Sequence, residues 1–196
     1  MALFRQSSHS KSPVECYLAH LDNIFQKEPQ FFRETSLIEG APGVTSIVYT
    51  DIPEPGYITA LTYGLSLAEH PKWIYGRPEL CISVESTNLA WGQIVGFLAN
   101  QLRGDFPFRY GQAINFHERI SDDSEMDAFF IFAPSTLNKE DYLDIDIGTN
   151  YKINISGLYP MYSEELELYH AIGLEKFWHH PDFDIYSVNR KKIIAK

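Results

Sequence analysis

Long apolar runs and cysteines are both scarce in this sequence of 196 residues. No stretch approaches the ~20 consecutive apolar residues that a membrane-spanning helix needs, and residues 1–12 contain no apolar segment typical of a signal peptide. The two cysteines, Cys16 and Cys81, have apolar neighbours and are predicted to be buried free thiols. These absences predict a cytoplasmic protein that does not associate with membranes.

Basic residues are also few relative to acidic ones. The chain has 16 Lys and Arg against 26 Asp and Glu, which gives a formal net charge of −10. Because so acidic a chain repels phosphate backbones, nucleic acid is not expected as a partner. Electrostatics favour a basic protein partner, although the charge could serve solubility alone. The basic residues near the end of the sequence are interpreted as a solvated tail: Arg190, Lys191, Lys192 and Lys196.

Sequence signatures of phosphate, dinucleotide and metal sites are absent as well. His179, His180 and Asp182 are close in sequence, but adjacent histidine side chains point apart and no second cluster has ligand spacing. We therefore expect neither a metal nor a cofactor. The neighbours Glu164 and Glu165 do not share a helix face, so we interpret them as favourable charges at a helix start.

One short motif resembles part of the active site of serine hydrolases. The segment Gly64-Leu65-Ser66-Leu67-Ala68 follows a predicted strand and resembles a nucleophile elbow, with Ser66 as the nucleophile of a small serine hydrolase. An elbow needs a helix directly after the serine, and Pro71 and Pro78 leave no room for a long one. We favour a strand end with a glycine turn and keep the hydrolase as an alternative.

Glu79 introduces an otherwise apolar strand and is therefore predicted to be partly buried. A buried carboxylate needs a partner, for which Arg77 and Tyr63 are the candidates. We expect a structural ion pair rather than a carboxylic acid with a raised pKa.

What the sequence does contain is an ordered series of helix and strand patterns. Ser12, Pro13 and Glu15 predict the start of a first amphipathic helix. A second follows Asn88 and stops at Gly104. Runs rich in β-branched and aromatic residues predict strands over 45–50, 57–63, 79–85, 113–120, 127–133, 151–159 and 183–188.

A third helix starts after Ser163, ends near Gly173 and resumes over 174–179. Each helix has a single apolar stripe that must dock on something, so the pattern predicts an α/β (α+β) fold. Its predicted form is one mixed, largely antiparallel sheet with about three helices packed on it. No linker divides the sequence, so residues 1–196 are expected to form a single domain, with 1–11 as a flexible tail.

Several short motifs occur in an order that resembles the suppressor-of-fused family. The strand from Tyr57 ends in Tyr63-Gly64-Leu65-Ser66, and the next strand begins with Glu79-Leu80. The remaining motifs of the resemblance are Trp91 with the helix to Leu102, Gly111, Ile155–Leu158, Ser163–Leu166, Gly173 and Tyr186–Arg190. They span about residues 40 to 193, and their order and spacing together identify the chain as a single-domain, bacterial-type member.

The resemblance implies a protein-binding domain without catalysis. In animal relatives, which hold a transcription factor, a Tyr late in the second helix and an Asp after the position of Gly111 are tied to partner binding. The matching residues here are Gln101 and Gln112, so the resemblance does not extend to that partner. Bacterial single-domain relatives are regarded as immunity proteins, which implies that this chain neutralises a toxin by direct binding.

A basic toxin domain would suit so acidic a chain, because opposite charges speed association. A regulatory scaffold for another cellular protein remains an alternative, and the oligomeric state stays open. The candidate contacts are exposed loop residues, for which ordinary solvated charge is the competing interpretation. They are Asp122, Asp123, Glu125, Asp141, Tyr142, Asp144 and Asp146.

Overall fold

The computed structural model describes residues 11–194, so the predicted tail, apart from Lys11, and Lys196 lie outside the described residues. The helices are α1 (Pro13–Phe25), α2 (Ala90–Leu102), α3 (Lys139–Tyr142) and α4 (Leu166–Trp178). The strands are β1 (Gln30–Arg33), β2 (Thr45–Thr50), β3 (Tyr57–Tyr63), β4 (Arg77–Glu85), β5 (Ala113–Asn115), β6 (Ala128–Phe132) and β7 (Ile153–Met161).

These strands form one seven-stranded sheet in the order β1-β2-β3-β4-β7-β6-β5. Every neighbouring pair is antiparallel except β4 and β7, which run parallel with Arg77 opposite Ile153. The three long helices α1, α2 and α4 each contain 13 residues. The predicted mixed, largely antiparallel sheet with about three helices is therefore confirmed.

The alternation of side chains along β2 decides which helix each residue meets. Ile47 and Tyr49 pack in one cluster with Tyr17 and Leu21 of α1. Val48, which lies between them in sequence, packs instead in the cluster that contains the buried face of α2. Successive strand residues point to opposite sides, so α1 and α2 cover opposite faces of the sheet.

The α1 helix begins as its sequence predicts, because the Ser12 amide donates to the Glu15 carboxylate over 2.7 Å. The break in α4 is also as predicted, since Gly173 has φ 81° inside the helix. Beyond that break, Phe177 is buried against Phe130 of β6. The predicted burial of the two thiols holds for Cys81, whereas Cys16 is only half-buried.

Two predicted strands are shorter than expected or missing. The strand predicted over 113–120 stops at Asn115, whose side chain accepts the amide of His117, and His117 has a positive φ of 64°. The strand predicted over 183–188 is a loop in which Asp184 accepts the amides of Tyr186 and Ser187. In both segments, side-chain acceptors compete with a strand ladder for backbone amides, and the second segment keeps only an isolated bridge between Ser187 and Glu85.

The prediction of a solvated tail is wrong for Arg190. Its guanidinium is buried and donates to both carboxylate oxygens of Glu165, over 2.6 and 2.7 Å. Glu165 was interpreted as a charge at a helix start, but its main contact is this buried ion pair with Arg190. Lys191 and Lys192 are exposed as expected, and Lys192 pairs with Glu164 at the surface.

Candidate protein-binding surface

The Ser66 hydroxyl points into the protein interior. Ser66 is fully buried in a 3₁₀ turn after Gly64, and its Oγ donates to Glu79 over 2.7 Å. A nucleophile must be reachable by substrate, and a fully buried hydroxyl is not. The structure therefore argues against the hydrolase alternative at this residue.

Glu79 is held by hydrogen bonds rather than by an ion pair, which corrects the expectation from the sequence. Its carboxylate accepts the Thr62 hydroxyl, the Gly64 amide, and the amide and hydroxyl of Ser66, over 2.6 to 3.0 Å. Burial raises the pKa of Glu79, and these donors offset only part of that effect. The expected partner Arg77 instead donates to Glu69 and to backbone carbonyls. This network fixes the turn after β3.

The first predicted contact group lies at the start of α2. The Asp123 carboxylate accepts the Ser86 hydroxyl and the Trp91 indole, over 2.6 and 3.0 Å. Burial raises the pKa of Asp123, but hydrogen bonds, including those from Ser86 and Trp91, outweigh it and hold the pKa below its ordinary value. Asp123 thus has a structural task in anchoring α2.

Its two neighbours in that group are exposed. Asp122 accepts the Asn88 amide nitrogen over 2.5 Å, and Glu125 pairs with Arg119. Each already has a partner within the chain, so any contribution to binding would compete with that contact.

The second predicted group lies in a segment that we call the acidic loop, residues 139–146. Asp141 accepts the Asn138 amide, and Asp146 accepts the Gly148 amide and pairs with Lys152. The Lys152 ammonium is the main cause that holds the pKa of Asp146 below its ordinary value. Asp144 is exposed, with a positive φ of 55°.

The acidic loop borders an open cavity of about 610 Å³, which we call the aromatic groove. Its walls include Trp73, Ile74, Tyr75, Arg109, Tyr110 and Leu143. Ile74 is 72% exposed and Tyr75 is 84% exposed, which is unusual for large apolar side chains.

Hydrogen bonds join the acidic loop to the opposite wall of the groove. The Asp144 amide donates to the Asn154 side chain over 2.8 Å, and the Asn154 amide nitrogen donates to the Tyr75 carbonyl over 3.1 Å. Burial raises the pKa of Tyr110 to about 12, with nearby Tyr142 as a smaller cause. The predicted residues Tyr142 and Asp144 therefore lie at the edge of an exposed aromatic surface.

The structure separates the two predicted acidic groups. Ile153, which pairs with Ile145 of the acidic loop, lies opposite Arg77 at the start of β4. Ser86, which contacts Asp123, follows the last residue of β4. At about 3.3 Å per residue, this strand of nine residues spans roughly 30 Å. The two groups therefore lie at opposite ends of β4.

Gln101 and Gln112, which the sequence resemblance matched to partner-binding positions of animal relatives, lie on different elements. Gln101 is exposed on the last turn of α2. Gln112 is half-buried in the turn before β5, where its side-chain oxygen accepts the Arg109 amide over 2.7 Å.

The histidine cluster does not form a metal site in the part of the chain that the structure describes. Between residues 11 and 194, no group of three or more His, Cys, Asp or Glu side chains is placed to hold an ion. His180 instead accepts the Asp182 amide over 3.2 Å. Within the same residues, no helix is long and apolar enough to cross a membrane.

The aromatic groove was not predicted from the sequence. Trp73, Ile74 and Tyr75 are consecutive in a segment bounded by Pro71 and Pro78, where the turn-forming residues predict only a loop. A run of large apolar residues inside such a loop is the signal that could have found it, because loops lie at the surface and carry binding residues.

Comparison with known proteins gives one family and several similar folds. The sequence of residues 40–191 matches the family described as Suppressor of fused protein (SUFU). No curated protein sequence matches the chain. A SUFU homolog from Neisseria gonorrhoeae FA 1090 superimposes with a TM-score of 0.71 at 16% identity, covering 92% of this chain and 96% of that one.

Two further solved structures share the fold. A chain of the Sufu–Fu complex superimposes with a TM-score of 0.66 at 12% identity, over 92% of both chains. Drosophila Suppressor of Fused gives a TM-score of 0.60 at 12% identity, over 91% of this chain and 50% of that one. Since the family match covers most of the sequence, from residue 40 to residue 191, the chain belongs to the suppressor of fused family.

Proposed function

We propose that this protein binds a basic toxin domain through the aromatic groove and neutralises it by covering its surface, without catalysis. The observation that carries the proposal is the exposure of Ile74 and Tyr75 beside an open groove. Membership of a family with a solved partner complex, that of Sufu with Fu, supports a protein as the ligand.

The groove has the composition of a protein-binding centre. Aromatic residues dominate binding energy at interfaces, where a few well-packed side chains carry most of it. Tyr75 and Tyr110 each combine a large apolar ring with a hydroxyl, so they can bury area and still hydrogen-bond at a wet rim. Ile74 adds an aliphatic anchor between the two walls.

The charge of the chain supports a basic partner. With a net charge of −10, the protein attracts a basic domain from a distance and raises its association rate. The acidic loop at the groove edge, with exposed Asp144 and Asp146, supplies negative charge close to the proposed contact. Lys72 and Arg109 also line the groove, where they repel basic groups, so a basic partner would place its charges toward the acidic loop.

The direct test pairs this protein with the product of a toxin-like neighbouring gene. We expect the two proteins to co-purify after co-expression and the toxin to stop inhibiting growth. Replacing both anchors, with Ile74→Ala and Tyr75→Ala, should weaken the complex by at least about tenfold, because each removes an interface centre. Isothermal titration calorimetry measures the change.

Ile194→Ala is the matched control, since Ile194 is 81% exposed and does not line the groove. It should bind like the unmodified protein. If the groove variants bind the toxin as tightly as the unmodified protein does, the groove is not the toxin-binding surface. If the adjacent gene encodes no toxin and no growth protection occurs, the immunity role fails.

A further inference from the structure

The outer stripe of α2 carries no charge. Its exposed residues are Gln93, Phe97 and Gln101. None of the 13 residues of α2 is ionisable, although 21% of the chain is charged. Helices at protein surfaces usually present charged residues to water, so this stripe differs from an ordinary solvated face.

Neighbouring apolar residues widen the stripe. The ring of Phe97, 36% exposed, meets that of Phe116 edge-on with centroids 5.9 Å apart. Asn100 donates to the Thr35 carbonyl over 2.8 Å, which holds the loop between β1 and β2 beside the end of α2. That loop exposes Leu37 and Ile38. We call the six residues the α2 face: Gln93, Phe97, Gln101, Phe116, Leu37 and Ile38.

We infer that the α2 face joins two copies of this protein about a two-fold axis that passes beside Phe97. The exposed residues read Gln-Phe-Gln at four-residue spacing, so the stripe is the same in both directions. When two α2 helices pair antiparallel, Phe97 meets Phe97 of the copy, and Gln93 meets Gln101. The Gln93–Gln101 contact then occurs twice and the Phe97–Phe97 contact once, on the axis, as an isologous interface requires.

The side chains suit such a self-contact. A glutamine amide both donates and accepts hydrogen bonds, so Gln93 and Gln101 of two copies can exchange them in either orientation. Specific interfaces usually have aromatic rings at the centre and polar groups around them, as Phe97 has between Gln93 and Gln101.

Charge favours a second copy over a charged partner. A basic partner gains nothing from a face without acids, whereas an identical copy brings an equally uncharged face, so no like charges meet at its centre. Exposed acids flank the face, with Glu39 and Asp105 at one end of α2, Asp122 at the other, and Glu118 close to Phe116 in sequence. They repel between acidic copies, so added salt should strengthen the pairing.

This contact is independent of the proposed toxin binding. The residues that line the aromatic groove do not include any of the α2 face, so the groove stays open in the dimer. Self-association can therefore be measured on the full chain alone, and its failure would leave the proposed function unaffected.

Sedimentation equilibrium over a range of concentrations tests the pairing. We expect a species of twice the 22.5 kDa monomer mass, with a dissociation constant that falls as salt rises. Phe97→Lys should abolish it, because two like charges would then meet at the axis. A protein that stays monomeric at all concentrations and salt conditions overturns the inference.

Two double variants test the antiparallel arrangement without touching the core. Gln93→Lys with Gln101→Glu places opposite charges together twice, so at low salt the dimer should tighten by about tenfold. Gln93→Glu with Gln101→Glu places like charges together and should weaken it similarly. Asn23→Glu, at an exposed residue of α1 on the opposite face of the sheet, should change little. If both double variants weaken the dimer, the antiparallel arrangement is overturned.

Discussion

Two ion pairs at the start of α4 show how burial changes the role of the same charges. Glu164 and Lys192 pair in solvent, where water and salt screen the attraction. Glu165 and Arg190 pair with less than a tenth of either side chain exposed, and Glu165 also accepts the Ile193 amide over 2.7 Å. The buried pair therefore pins the segment after α4 to the sheet.

Removing one partner of the buried pair should be costly. Arg190→Ala leaves the Glu165 carboxylate buried without its counter-charge, so we expect a loss of about 3–5 kcal/mol in the free energy of unfolding. Lys192→Ala removes the exposed pair and should lower the free energy of unfolding by less than about 1 kcal/mol. Urea denaturation measures both values, and equal losses would show that burial is not the deciding factor.

At the scale of elements, α2 approaches β2 more closely than ordinary side chains allow. A Cβ at Gly92 would lie 2.7 Å from Val48, and one at Gly96 would overlap the Ser46 hydroxyl. That hydroxyl also accepts the Gly96 amide over 3.0 Å. The two glycines, one helical turn apart, let the helix settle onto the strand and thereby set the position of the α2 face.

Gly96→Ala should therefore destabilise the protein although alanine favours helices. Helix propensity would stabilise by about 1 kcal/mol, but overpacking against β2 costs about 1–3 kcal/mol and the hydrogen bond to Ser46 is disturbed as well. We expect a net loss in the free energy of unfolding, measured by urea denaturation. Gln93→Ala, on the exposed side of α2, should stay within about 0.5 kcal/mol. A stabilised Gly96→Ala variant would contradict the close approach.

At the scale of the whole molecule, a net charge of −10 acts oppositely on the two proposed associations. Salt screens attraction to a basic partner and screens repulsion between two acidic copies. The same change in ionic strength should therefore weaken one complex and strengthen the other, which separates them experimentally.

The association rate of the toxin complex should fall by about tenfold or more when salt rises from about 50 to 500 mM, because steering is lost. Asp144→Asn, which suits the positive φ there, should slow association at low salt. Glu54→Gln is the control, because exposed Glu54 lies in the turn before β3, at the opposite end of the sheet. Stopped-flow fluorescence measures the rates, and a rate that does not depend on salt would contradict steering.

Features that rest on local chemistry could be predicted from the amino-acid sequence. The capping box at Ser12, the glycine break at Gly173 and the strands with strong β patterns are encoded by neighbouring residues, so their positions could be predicted. Family membership was also predictable, because ordered motifs lie along the chain from Tyr57 to Arg190.

Contacts between residues far apart in sequence became visible only in the folded chain. Glu165 and Arg190 are 25 positions apart in sequence, and Asn154 and Tyr75 are 79 positions apart. No local sequence pattern predicts contacts between residues so distant. The aromatic groove exists because the parallel pairing of β4 with β7 brings the acidic loop beside the Trp73–Tyr75 segment. Burial and proximity are properties of the packed chain, and they decide which acids are structural and which are free to meet a partner.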